Sequence, residues 1–172
     1  MPRALTPIPA DPGEARKAAH AAALRLLAGR EMSTARVRER LRSRGFPDDA
    51  IDGTVERLAG AGILDDRRAA QAAARTLATV RQRGRHRVGR ELEQLGFTKE
   101  TALEATQAAF ADSDERAVLE KVVASKLRGR RTIADPGAYR RLFGALLRRG
   151  FPADLIRSAL RPFWGHRHEP DE

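Results

Sequence analysis

The phrase "LRSRGFPDD", Leu41 to Asp49, returns as "LEQLGFTKE", Leu92 to Glu100, and as "LLRRGFPAD", Leu146 to Asp154. In each copy a leucine stands four residues before Gly-Phe. A helix that closes with a Schellman motif needs a left-handed residue at C′, where a Cβ is disfavoured and glycine is the usual choice. The residue after it folds back onto the last turn. Gly45, Gly96 and Gly150 fit C′, and Phe46, Phe97 and Phe151 then clasp Leu41, Leu92 and Leu146. A residue suited to opening a new helix follows each time: Pro47-Asp48, Thr98 and Pro152.

The three glycines are 51 and 54 residues apart, a period that points to a repeated supersecondary unit. Val37, Val88 and Leu142 each lie eight residues before a glycine and form an i, i+4 apolar pair with the motif leucine. Downstream, Ile51 and Val55 recur as Ile156 and Leu160, with Ala102 and Thr106 in the middle copy. An earlier helix completes each unit. The first runs from Glu14 to Ala28 with Leu24 and Leu27 inward. The second runs from about Asp65 to Val80 with Ala70, Ala73, Leu77 and Val80 on one face. The third follows "DSDE", Asp112 to Glu115, with a stripe of Val118, Leu119, Val122 and Val123. Ser33, Asp65 or Asp66, Asp112 and Asp135-Pro136 are suited to open helices.

Nine helices in three groups of three give an all-α fold: three tandem three-helix repeats in an elongated, curved helical array. The expected organisation is a loose N-terminal arm over 1–13, modules over 14–62, 63–111 and 112–164, and a polar tail over 165–172. The arm holds four of the nine prolines. A module of about 50 residues buries too little surface to stand comfortably alone, so neighbours should stack. Phe163 and Trp164 close the last helix and suit the apolar end of the array.

The chain carries a formal charge of +10, and all but four of its 33 basic residues are arginine. Such a balance points to an anionic partner. The arginines come in runs. "TARVRERLRSRGF" carries Arg36, Arg38, Arg40, Arg42 and Arg44. "VRQRGRHRVGREL" carries Arg81, Arg83, Arg85, Arg87 and Arg90. "KLRGRRT" adds Arg128, Arg130 and Arg131. These thirteen are the candidate contacts to such a partner.

Site chemistry is otherwise sparse. There is no cysteine, hence no disulfide or thiolate ligand. Of the four histidines, His166 and His168 belong to the polar tail. Asp65-Asp66 is better explained as a helix start than as an acid pair. No phosphate-binding loop or dinucleotide fingerprint occurs, so an enzyme, a metal site and a cofactor are not expected. The apolar stretch "AAHAAALRLLAG" is preceded by Glu14 and broken by His20 and Arg25, which suits a module helix rather than a signal peptide or a membrane span. A cytoplasmic monomer is expected.

The order of these elements resembles the RecX family of bacterial regulators of the RecA recombinase. The resemblance rests on "ALRLLAGR", Ala23 to Arg30, on Ser33, on Leu41 to Phe46, on Leu64-Asp65-Asp66 and on "RHRVGRELEQLGF". It spans about residues 15 to 163. Two positions depart from the pattern: Arg36-Val37 stand where similar proteins carry Glu-Leu, and Ala69 stands where they carry an aromatic ring. The resemblance implies a crescent of three three-helix units and no catalytic residues. It implies a protein that lies in the groove of the RecA–DNA filament and restrains its growth, ATP turnover and strand exchange, a role in DNA repair and recombination. DNA contact would be weak, salt-sensitive and within the filament. The alternative is a stand-alone DNA-binding regulator, with "RVGRELEQLGFTKETALEAT" as a helix–turn–helix. Its post-turn helix "TKETALEATQAAF" has a single basic residue.

Overall fold

A computed structural model describes residues 11–111 and 114–164. Helix α1 spans Pro12–Leu27, α2 Thr34–Arg42, α3 Asp48–Gly60 and α4 Asp66–Arg75, which continues as a π-helical turn, Thr76–Val80. Then come α5 Arg85–Gln94, α6 Lys99–Ala111, α7 Glu115–Leu127, α8 Pro136–Arg148 and α9 Ala153–Leu160, closed by a 3-10 turn, Arg161–Phe163. No strand occurs among the described residues. Helices contact one another mainly within the triplets α1–α3, α4–α6 and α7–α9. Each triplet has its own buried apolar cluster. The fold is an all-α array of three-helix repeats.

All three Gly-Phe phrases are Schellman motifs. The Phe46, Phe97 and Phe151 amides donate to the carbonyls of Leu41, Leu92 and Leu146 at 3.3, 3.3 and 3.4 Å. The Gly45, Gly96 and Gly150 amides donate to Arg42, Glu93 and Leu147 at 2.8, 2.9 and 2.9 Å, with φ of 87°, 88° and 90°. A fourth ends α3. Gly62 has φ of 67°, and Ile63 donates to Leu58 at 2.9 Å. Its clasp residue is isoleucine, so it does not share the repeated phrase.

Helix starts follow short polar chemistry. The side chains of Asp11, Ser33, Asp65, Asp114 and Asp135 accept from backbone amides of the first turn. For α7 the cap is Asp114; Asp112 lies outside the described residues. Helix α1 starts at Pro12, inside the stretch expected as a loose arm. Residues 1–10 and the tail from 165 onward, with His166 and His168, lie outside the description.

Two apolar residues face outward against expectation. In α1 the buried stripe is alanine: Ala15, Ala19, Ala22 and Ala23. Small side chains let α1 approach α3, and Leu24 falls beside the stripe, 39 % exposed. Leu27 is half-buried against the first cluster, as expected. Val80 is 76 % exposed because the π turn inserts an extra residue into the helical register. Leu77 is buried as expected, and Ala78 is buried in place of Val80. At the far end Trp164 packs on Tyr139, ring centroids 4.9 Å apart, and Phe163 joins the third cluster.

The triplets meet through their second helices, placed head to tail. The C-terminal turn of α5 sits on the N-terminus of α2, where Ser33 Oγ donates to the Leu95 carbonyl at 2.6 Å. The C-terminal turn of α8 sits on the N-terminus of α5. There the Gly84 and His86 amides donate to the Arg149 and Gly150 carbonyls at 2.9 and 3.1 Å. Carbonyls at one helix end are thus met by a cap hydroxyl at the first joint and by amides at the second, and in both the helix dipoles align. A Cβ at Gly150 would lie 2.3 Å from the Arg87 nitrogen, and one at Gly96 would lie 2.9 Å from Ser33 Oγ. The repeated glycine therefore ends a helix and also makes a joint. Polar side chains brace both joints. Asp66 accepts from the Thr34 amide at 2.7 Å, and Glu115, 6 % exposed, accepts from the Arg85 amide and Nε at 2.9 and 2.6 Å.

Candidate functional site

The candidate arginines fall into two groups. Six have acidic partners. Arg36 pairs with Glu39, Arg38 with Asp52 and Arg42 with Asp48. Arg83 and Arg87 share Glu91 at 3.6 and 2.6 Å, and Arg85 pairs with Glu115 at 2.6 Å. Arg85 also lies over the Phe110 ring, 5.6 Å from its centroid, and Arg87 donates to the Arg148 carbonyl at 3.2 Å. Arg85 and Arg87 are thus parts of the joint between the second and third triplets. The run on α2 is largely neutralised, chiefly by carboxylates of α3.

Arg40, Arg44, Arg81, Arg90, Arg128, Arg130 and Arg131 are exposed and have no ion-pair partner among the described residues. The last three lie on the α7–α8 connector, where Arg128 and Gly129 take left-handed φ of 51° and 80°. All three triplets therefore present uncompensated positive charge, although not every arginine of each run contributes. Two other cations, Lys17 and Arg67, are pushed above their ordinary pKa, each by hydrogen bonding to a neighbouring carboxylate, Glu14 and Glu104. Both are cationic at neutral pH in any case.

A cleft of about 710 Å³ opens between the first two triplets. Met32, Ala69, Ala73, Leu77, Leu95 and Phe97 line it on the apolar side. Arg30, Arg36, Arg81, Arg83 and Arg87 line it on the basic side, with Glu31 and Glu91. Three of the five belong to the Arg81–Arg90 run and one to the α2 run, so the fold brings the two runs together here. Arg30 stands alone after Gly29 and belongs to none of the runs. Only the joint between α5 and α2 carries it to the cleft. No group of three or more His, Asp or Glu residues placed to hold a metal occurs among the described residues. No helix there is long and apolar enough to cross a membrane.

The comparisons agree with this architecture. A model of the first three-helix domain of RecX matches residues 19–58, and one of the third three-helix domain matches residues 114–160. The regulatory protein RecX of Trichlorobacter lovleyi is 36 % identical over 140 residues, covering 79 % of this chain and 89 % of that one. The regulatory protein RecX of Mycobacterium avium is 34 % identical over 139 residues, covering 80 % and 79 %. The crystal structure of RecX from Lactobacillus salivarius superposes with a TM-score of 0.72 over 87 % of this chain and 96 % of that one, at 19 % identity. A second crystal structure, of a regulatory protein RecX, gives a TM-score of 0.73 at 15 % identity over 87 % and 72 %. At those identities the two structures speak for the fold, while the sequence matches speak for descent: the chain belongs to the RecX family of regulatory proteins.

Proposed function

We propose that this chain lies in the groove of the RecA–DNA filament and restrains filament growth, ATP hydrolysis and strand exchange. Membership of the RecX family supports the reading. The observation that carries it is the placement of unpaired arginines on all three triplets of one array: Arg40 and Arg44, then Arg81 and Arg90, then Arg128, Arg130 and Arg131. Contacts repeated along a polymer add as avidity, so weak charged contacts suffice when they are linked. The chain has no turnover of its own in this account. It acts as a cytoplasmic monomer, and the filament supplies both nucleotide and DNA.

The stand-alone DNA-binding reading is disfavoured by charge. Two of the three helices that follow the repeated turns carry more acidic than basic residues, with Asp48, Asp49 and Asp52 on α3 and Glu100 and Glu104 on α6, while α9 has one of each, Asp154 and Arg157. Most of these carboxylates are paired with arginine, and the two helices bring few basic residues of their own, Arg57 and Lys99, to hold phosphate in a groove. Two binding measurements separate the readings. The chain should co-sediment with RecA filaments formed on single-stranded DNA with a non-hydrolysable nucleotide. It should bind duplex DNA alone only weakly, with affinity falling steeply as salt rises. Tight, sequence-selective duplex binding without co-sedimentation would overturn the filament reading.

A further inference from the structure

We propose that the cleft between the first and second triplets binds a short acidic protein segment that carries an aliphatic side chain. Three features combine there. The first is uncompensated charge. Five arginines line the cleft with two glutamates, and Glu31 is already engaged by Arg68 at 2.7 Å while Glu91 is shared by Arg83 and Arg87. Arg30 and Arg81 have no ion-pair partner among the described residues.

The second feature is a guanidinium held in place by a constrained turn. Arg83 Nε is buried without a hydrogen-bond partner, 3.6 Å from Glu91. The rest of the side chain is 26 % exposed, so a ligand carboxylate would meet its outer guanidinium nitrogens rather than Nε. Its segment is not a loose loop. The Arg81 amide donates to Thr76 at 3.1 Å to close the π turn, and the Arg83 amide donates to Leu77 at 3.0 Å. Gln82 between them takes a left-handed φ of 51°, an unusual conformation for a residue other than glycine. The two arginines are presented on a constrained turn, which lowers the ordering cost of binding.

The third feature, the apolar lining, selects protein over nucleic acid. Met32, Ala69 and Leu77 are buried at its base, while Leu95 is 42 % exposed. Nucleic acid offers apolar surface as base faces, which bind exposed aromatic rings. The lining has one ring, Phe97, and it is 6 % exposed. A leucine-like side chain between carboxylates matches both halves of the site. That the segment belongs to the filament's protein rests on the function proposed above; the binding chemistry does not.

The test uses the full chain and a fluorescein-labelled eight-residue peptide of alternating glutamate and leucine, read by fluorescence anisotropy. Saturable binding is expected. Replacing the peptide's leucines by serine should weaken it at least about tenfold. On the protein, the pair Arg30→Ser and Arg81→Ser, and separately Ala73→Leu or Ala72→Leu to fill the cleft, should each weaken it at least about tenfold with helical circular dichroism unchanged. A twelve-residue oligothymidylate should not displace the peptide. Absence of saturable binding, equal binding of the serine peptide, indifference to both protein changes, or displacement by the oligonucleotide would each overturn the proposal. RecA is absent from the assay. Peptide binding by a chain that does not touch RecA filaments would therefore sink the filament reading and leave the cleft standing.

Discussion

Replacing Gly150 by valine should lower the stability of the chain by about 2–5 kcal/mol, seen as an earlier denaturant midpoint for loss of helical circular dichroism. Two costs add. Gly150 has φ of 90°, where a β-branched residue is strained, and its Cβ would sit 2.3 Å from the Arg87 nitrogen and 2.4 Å from the Arg87 Cβ. Backbone cannot yield there without opening the joint between α8 and α5. The same change at the other two repeats separates the roles. Gly96→Val meets Ser33 Oγ at 2.9 Å and the Ala35 Cβ at 3.3 Å, longer approaches than the 2.3 and 2.4 Å at Gly150. Gly45 is exposed, so Gly45→Val should carry mainly the backbone strain of about 1–2 kcal/mol. The expected order of damage is Gly150, then Gly96, then Gly45. Equal losses at all three would mean that the glycines only end helices and make no joint.

The second large effect is on regulation. Changing Arg128, Arg130 and Arg131 together to glutamate should leave the helices intact and reduce inhibition of RecA ATP hydrolysis at least about tenfold in effective concentration, a change of about 1.4 kcal/mol. The triple change Arg40, Arg44 and Arg90 to glutamate should do the same. These residues are exposed and unpaired among the described residues, so reversal removes attraction without breaking an internal bond. The more obvious block change, Arg81 through Arg87, would be a poor experiment. It would strip Glu115 and Glu91 of their partners at a joint, and buried carboxylates left alone are costly. A folded triple variant that keeps full inhibition at moderate salt would show that its arginines are only a solvated face.

The three Schellman turns were legible because they are local. A left-handed residue, a clasp and a leucine sit within six positions, and glycine is the residue that tolerates the conformation. The joints were not legible. Nothing near Gly150 in sequence says that Gly84 and Arg87 will press on it, since that contact spans more than sixty residues. The same limit governs the charge. Arg36 to Arg44 look like one basic run around Val37 and Leu41 until Asp48 and Asp52 arrive from the next helix. Conversely, Arg30 looks isolated until α5 closes the cleft around it. Val80 was misplaced for a subtler reason: its spacing suits an α-helix, and the chain makes a π turn there. Glu115 read as helix-start chemistry, and it is also the buried partner of Arg85.

The decisive measurement is RecA-catalysed ATP hydrolysis on single-stranded DNA, followed while the purified chain is titrated in. The rate should fall steadily to a plateau, the fall should weaken as salt rises, and the two arginine triples should shift it to higher concentration. Hydrolysis that continues at its full rate with the folded chain present at saturating concentration would contradict the filament reading.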